Sequence, residues 1–97
     1  MHSMVKISNL TEAEQELIRA AANNQGSLEV AMRSELHGWA IVAGRKKFFD
    51  PKDPSVAQHY ISLLARLKDM ELIHGVSNKK AYELTNFGWQ FSRKLGR

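Results

Sequence analysis

Residues 53–70 read DPSVAQHYISLLARLKDM, and this segment has the pattern of an amphipathic helix. Asp53 is a good N-cap because its carboxylate can accept a backbone N–H of the first turn, and Pro54 suits the first helical position. The preceding Asp50-Pro51-Lys52 breaks regular structure, so we predict that a helix begins at Pro54 and ends near residue 70. Apolar side chains recur in it at steps of three and four residues, which places them on one face: Tyr60, Leu63, Leu64, Leu67 and Met70.

The chain after this helix predicts a hairpin and a last helix. Two short apolar segments, about residues 72–76 and 81–84, flank a polar turn at residues 77–80, which is typical of a β-hairpin. Thr85 precedes a helical pattern and has the side chain of an N-cap. The expected inward face of this last helix consists of Gly88, Phe91 and Leu95.

Several parts of residues 55–95 carry a resemblance to a known family. They are the helix SVAQHYISLLARL at residues 55–67, the pair Leu72-Ile73, the strand end Tyr82-Glu83-Leu84-Thr85, and then Gly88 and Leu95. In spacing and apolar positions this stretch resembles the winged helix-turn-helix domain of bacterial regulators of the multiple-drug-resistance type. The resemblance implies a recognition helix at residues 54–70, a wing at residues 72–84, and DNA binding in transcription regulation.

The first half of the chain departs from that family. Thr11 and Glu14 have the spacing of a capping box, which predicts a first helix that ends before Gly26. Apolar and polar side chains alternate in residues 28–43 around a polar break, which favours a β-hairpin; a helix over residues 28–36 is the alternative. The hairpin takes the place of the first helix of the helix-turn-helix, and Glu71 stands where those regulators usually carry glycine. This layout is similar to small winged-helix-like modules attached to larger bacterial proteins.

We therefore predict one α+β domain over residues 1–97 with a winged-helix-like order: helix, β-hairpin, helix, wing hairpin, helix. A chain of 97 residues has a single-domain length. Residues 1–9 are expected to be flexible, and Met4 is a second candidate for the native start, which residues 1–3 would then precede. Residues 44–47 are expected to form a basic turn, after which Phe48 and Phe49 return the chain to the core.

The recognition-helix hypothesis assigns base contacts to the outward side chains of the helix. If its apolar residues face inward, the outward set is Ser55, Gln58, His59, Ser62 and Arg66. Gln, Ser and Arg hydrogen-bond base edges in the major groove, but an ordinary solvated helix face has the same composition. Phosphate contacts are expected from the wing tip and the basic turn, that is from Lys79 and Lys80 and from Arg45, Lys46 and Lys47. If these basic residues converge on one face, phosphate binding is favoured; if they scatter, they only keep the protein soluble.

The composition argues against catalysis and membrane insertion. The chain contains no cysteine and its four histidines lack metal-ligand spacing, so no metal or other cofactor is predicted. An enzyme is the least expected class, because no acid–base pair, phosphate-binding glycine loop or nucleophile motif is present. The longest apolar run, residues 39–43, is far shorter than the ~20 residues of a membrane helix. The absence of cysteine favours a reducing compartment, the cytoplasm.

Two functions stay open. The net charge of +4 and the pI near 9.6 favour a polyanionic partner, and DNA binding is the first hypothesis. The alternative is a protein-interaction or oligomerisation module, working as a homodimer or within a larger protein, with the hairpin edge at residues 28–43 pairing with another strand. Trp39 is expected in the core because it lies on the apolar side of its strand, whereas for Trp89 both a core and an exposed position are considered.

Overall fold

The computed structural model describes residues 10–76 and 80–95 of the chain. The described residues form three α-helices and one antiparallel sheet of five strands in the order β3-β2-β1-β5-β4, so the α+β class is confirmed. Residues 1–9 and the wing-tip residue Lys79 lie outside the described residues. In chain order the elements are α1 (Glu12–Asn23), β1 (Ser27–Arg33), β2 (Gly38–Ala43), β3 (Lys46–Phe48), α2 (Pro54–Asp69), β4 (Ile73–Gly75), β5 (Ala81–Leu84) and α3 (Asn86–Lys94).

Side-chain caps begin the three helices where the sequence predicts them. Thr11 Oγ1 accepts the backbone N–H of Glu14 at 3.2 Å, and Glu14 Oε1 accepts the N–H of Thr11 at 2.9 Å, which completes the capping box. Asp53 Oδ1 accepts the N–H of the second residue of α2 at 3.1 Å. Thr85 Oγ1 accepts the N–H of Gly88 at 2.9 Å. Each cap satisfies a donor that the first turn of a helix leaves without an intrahelical partner.

Residues 28–43, which the sequence predicts as a hairpin, form a β-hairpin. β1 and β2 pair antiparallel with Val30 opposite Ile41, so a helix through residues 28–36 is excluded. The predicted basic turn is shorter than expected: only Gly44 and Arg45 form it, because the two lysines that follow already pair with β2 as part of β3. Gly44 has a φ of +61°, a left-handed conformation that lets two residues reverse the chain.

Strand β1 joins the two hairpins into one sheet and fixes their relative direction. It pairs with β2 on one side and with β5 on the other, where Ser27 lies opposite Glu83. Because all neighbours are antiparallel, the β1–β2 turn, the end of β4 and the start of β5 lie at the same end of the sheet, which we call the lower end. The β2–β3 turn lies at the opposite, upper end.

The core lies between the three helices and one face of the sheet. The register places the inward sheet residues on this face, and they form one buried cluster with apolar side chains of all three helices; the sheet contributes Leu28, Ile41, Phe48, Ile73 and Leu84, and the helices contribute Leu17, Ile18, Leu64, Leu67 and Phe91. Trp89 is partly buried against this cluster.

The lower end of this same face is not covered by the helices. Met32 and Trp39 lie opposite each other there, and they are 55% and 40% exposed. The expectation that Trp39 is a core residue was therefore wrong. Strand alternation specifies the face on which a side chain lies, but whether a helix extends over that part of the face depends on the path of the helix.

Glu71 leaves α2 in the conformation that usually requires glycine. Its φ is +63°, in the left-handed region, where a residue with a Cβ atom costs roughly 1–2 kcal/mol. The conformation is fixed by tertiary contacts, because Thr85 Oγ1 donates a hydrogen bond of 2.6 Å to the carbonyl oxygen of Glu71. The next residue, Leu72, is fully buried, so the chain has to turn inward at this point.

We expect Glu71→Gly to raise the free energy of unfolding by about 0.5–1 kcal/mol, because glycine adopts this φ without a Cβ clash. Urea denaturation of both proteins measures the difference. Glu29→Gly, at an exposed position of β1, is the matched control and should lower stability by about 0.5–1 kcal/mol because glycine weakens a strand. A loss of stability at both positions would contradict the argument.

Candidate binding groove

Most of the side chains predicted to contact bases lie on the exposed side of α2, namely Ser55, Gln58, His59 and Ser62. Two of them hydrogen-bond within their own segment. Ser55 Oγ donates to Asp53 Oδ1 at 2.6 Å, and Ser62 Oγ donates to the carbonyl oxygen of His59, also at 2.6 Å. Their exposure is compatible with a binding face and equally with a solvated face.

Arg66, the remaining member of that set, is held at the α1 side of the helix. Its Nε lies 3.0 Å from Oε2 of Glu14, whose side chain is fully buried, although the two atoms are not aligned for a hydrogen bond. The Arg66 side chain is half exposed, at 51%. A buried carboxylate without a cation nearby is strongly unfavourable, so we expect the loss of Arg66 to destabilise the fold.

The basic residues after the β2–β3 turn point to opposite faces of the sheet. Lys46 lies on the helix side, where its Nζ is 4.0 Å from Oε2 of Glu16. Lys47 lies on the other face, where its positive charge interacts with the carboxylate of Glu35 in the β1–β2 turn. A backbone hydrogen bond at Glu35 lowers the pKa of its carboxyl, and the charges of Arg33 and Lys47 lower that pKa further.

A concavity of about 480 Å³ lies at the upper end beside this turn. Arg19, Arg45 and Lys46 line it together with Glu16. Burial raises the pKa of the neighbouring Tyr60 hydroxyl, and the charge of Glu16 and a hydrogen bond to it raise that pKa further. Glu16 therefore contributes a negative charge that offsets part of the basic cluster.

The predicted phosphate contacts do not converge among the described residues. Arg45 lies at the upper end of the sheet, whereas Lys80 precedes β5 at the lower end, on the opposite side of β1. Arg93 and Lys94 are exposed in the last turn of α3. The described basic residues are therefore distributed over several surfaces and do not form a single face.

An apolar groove opens at the lower end between α2 and the sheet. Its larger part has a volume of about 670 Å³. A smaller part of about 300 Å³ continues toward the start of α2, with Trp39 and Ile61 lining both parts. We call the two parts together the groove. Its apolar walls are Ile61, Leu64 and Ala65 on α2, and Val30, Trp39 and Tyr82 on the sheet.

Lys80 lies at the mouth of the groove on the exposed ring of Trp39. Its Nζ is 3.7 Å from the centroid of the indole. A cation–π contact at an exposed site contributes about 0.5–1 kcal/mol, enough to favour one position of a flexible lysine. Lys68 of α2 also lines the larger part of the groove and is exposed.

The sequence interpretation missed the groove because it assigned the outward residues of α2 to bases. The signal was present in Ile61 and Ala65, which make the apolar stripe of the helix wider than packing on one sheet face requires. Trp39 was the second signal, but alternation alone predicted it as buried. Lys68 carried no distinguishing pattern.

The described residues contain no cluster of three or more metal-ligating side chains. Within residues 10–76 and 80–95, no helix has the length and apolar character needed to cross a bilayer. Comparison with known proteins gives no match to a family model, a curated protein or a solved structure.

Proposed function

We propose that this chain is a non-catalytic protein-recognition domain whose binding site is the groove, and whose ligand is an apolar segment of a partner protein. The main observation is that Trp39 is exposed in a concave apolar surface, at the lower end of a sheet face whose upper part the helices bury. Contiguous apolar surface of this kind is typical of sites that bind another protein. Aromatic side chains at the centre of such sites supply much of the binding energy because they bury a large area.

The dimensions and position of the groove support this proposal. Its larger part, of about 670 Å³, is within the roughly 300–1,000 Å³ range of ligand pockets. Trp39 lies between the two parts, so side chains of one bound segment can pack on both sides of it. The walls belong to a helix and a sheet, which hold them in place without a bound ligand.

DNA binding by a winged-helix-like arrangement is the second candidate. Gln58 borders the smaller part of the groove and Lys80 the larger part, so a duplex contacted by α2 and the wing would touch this same surface. Two observations weigh against it. Arg66 is paired with Glu14. The described basic residues lie at opposite ends of the sheet, so a single DNA duplex would not contact all of them.

The chain contains two tryptophans, which makes the proposed function directly testable by NMR. Trp39 lines the groove, whereas Trp89 packs against Gly26 near the upper end. We expect a short peptide selected from a random library against this protein to shift the indole N–H signal of Trp39 and to leave that of Trp89 in place. The spectrum of Trp39→Phe assigns the two signals.

A matched pair of variants on α2 controls this experiment. Ile61→Asp places a charge in the wall of the groove and should weaken peptide binding at least about tenfold. Ser62→Asp places the same charge on the outward side of the helix and should change binding less than about twofold. Selected peptides that bind both variants equally would show that the groove is not the site.

The second candidate is tested by titrating the same samples with duplex DNA at several salt concentrations. Electrostatic binding requires the logarithm of the affinity to fall linearly with the logarithm of salt, and changing Lys79 and Lys80 to alanine should flatten the slope by about one to two units. This behaviour, together with a failure to select any peptide, would replace protein recognition by DNA binding as the function.

A further inference from the structure

The groove has one charged end and one uncharged end. Lys68 and Lys80 line its larger part, and the smaller part is bordered by Pro54, Gln58 and His37. Among the residues that the structure describes, no aspartate or glutamate lines either part. Within the described residues neither lysine forms an ion pair, since the pairs there involve other cations. The surface therefore combines an apolar channel with an uncompensated positive charge at one end.

The segments of this chain outside the described residues do not complement that charge. Residues 1–9 contain one lysine and no acidic residue, residues 77–79 contain one lysine, and residues 96–97 are glycine and arginine. Each of them would bring either no charge or a further positive charge to the lysines. The side chains of these segments therefore do not supply the acidic groups that would neutralise the charged end.

Resting on the proposed function, we infer that the partner segment carries acidic residues on one side of its apolar anchor, and that their carboxylates pair with Lys68 and Lys80. The anchor packs between Trp39 and Ile61, and the acidic side fixes the direction in which the segment lies. Apolar burial supplies most of the affinity, whereas charge complementarity supplies orientation and speed of association.

Lys80 is already positioned for this role. Its ammonium lies over the indole of Trp39, so the N–H donors that the ring does not engage remain for a carboxylate. A lysine fixed before binding loses less conformational entropy when it pairs than a free surface lysine does. The acidic residue that contacts Lys80 is therefore adjacent to the anchor, whereas the one that contacts Lys68 lies on the α2 side of the groove.

Selection of short random peptides displayed on phage tests the inference with three proteins. They are the wild type, the groove variant Lys68→Glu/Lys80→Glu, and the control variant Arg93→Glu/Lys94→Glu, which has the same change of charge on exposed residues outside the groove. The wild type and the control should enrich peptides with a large apolar residue followed or preceded by Asp or Glu. The groove variant should enrich Lys or Arg at those positions.

Affinities of the enriched peptides give the quantitative result. An acidic peptide selected on the wild type should bind the groove variant at least about tenfold more weakly, and the control variant within about twofold. The variant Lys68→Ala/Lys80→Ala should show an intermediate loss, and it substitutes for the charge reversal if thermal unfolding shows that the reversed protein is not folded.

The outcomes separate this inference from the proposed function. Peptides with apolar anchors and no charge preference would overturn the inference and leave the protein-recognition function standing. An equal loss in the control variant would mean that net charge, and not pairing in the groove, governs binding, and the inference would fall. A selection without binders would overturn both, and a homodimer that the selected peptide dissociates would make a second copy of the chain the occupant instead.

Discussion

Replacing Gly88 by alanine should destabilise the domain by about 3 kcal/mol, because a Cβ atom here has no space. Built on the backbone, this Cβ would overlap the carbonyl oxygen of Leu72 and would also lie 3.2 Å from Cδ2 of Leu84. The carbonyl is not free to move, since it accepts the backbone N–H of Thr85 at 3.1 Å immediately before α3. The substitution therefore either breaks this hydrogen bond or displaces α3 from the buried cluster.

Urea denaturation measures this loss, and Gly38→Ala is its matched control. A Cβ at Gly38 would lie 3.8 Å from the carbonyl oxygen of Leu36, an ordinary van der Waals distance. The control should change stability by less than about 1 kcal/mol, since alanine is at least as good a strand residue as glycine. Equal stabilities of the two variants would contradict the packing of α3 against the segment that follows α2.

Replacing Arg66 by alanine should lower the free energy of unfolding by about 1–3 kcal/mol. The change leaves the fully buried Glu14 carboxylate without the cation that lies 3.0 Å from its Oε2. Removing one partner of a buried ion pair costs about 3–5 kcal/mol, and the expected value is smaller here because the Arg66 side chain is half exposed to solvent. Chemical denaturation at neutral pH gives the measurement.

Lys68→Ala is the control for this experiment, because Lys68 is a second basic residue in the last turn of the same helix and is exposed. Its loss should change stability by less than about 0.5 kcal/mol. A double-mutant cycle with Glu14→Gln isolates the pair: with a neutral partner, Arg66→Ala should have a smaller effect. An effect of the same size in both backgrounds would mean that the ion pair is not the cause.

These two experiments also bear on the choice of function. If Arg66 is a structural residue, its substitution reduces any binding activity through stability, so a test of base reading with Arg66→Ala is ambiguous. Ile61 and Lys80 report on the groove more directly, because one is a wall residue and the other is exposed at the mouth. The functional tests therefore use variants of Ile61 and Lys80.

The sequence by itself determined the beginnings of the helices and the pairing type of the first hairpin. The Thr11 cap depends on Glu14, three positions away, and the alternation in residues 28–43 repeats every second residue. Signals of this kind use the backbone geometry of a few neighbouring residues, which is fixed by covalent structure and local hydrogen bonding. Predictions from such local signals therefore do not depend on which other segments pack against the helix or strand.

The tertiary structure alone decided which of the inward-facing residues are covered. Ile41 and Trp39 lie on the same face of β2, yet Ile41 is fully buried and Trp39 is 40% exposed. Burial of each depends on where α2 crosses the sheet, and no residue within β2 encodes that path. The position of the groove is a consequence of this crossing.

Long-range pairing likewise decided the roles of the basic residues. Arg66 meets Glu14 only because α1 and α2 are neighbours in the fold, and the β2–β3 turn lies at the opposite end of the sheet from Lys80 only because β1 pairs with β5. The sequence determined that these side chains are basic and near helix or hairpin ends. Their partners and relative positions follow from contacts between distant segments, because burial and charge pairing are properties of the assembled core and not of any single segment.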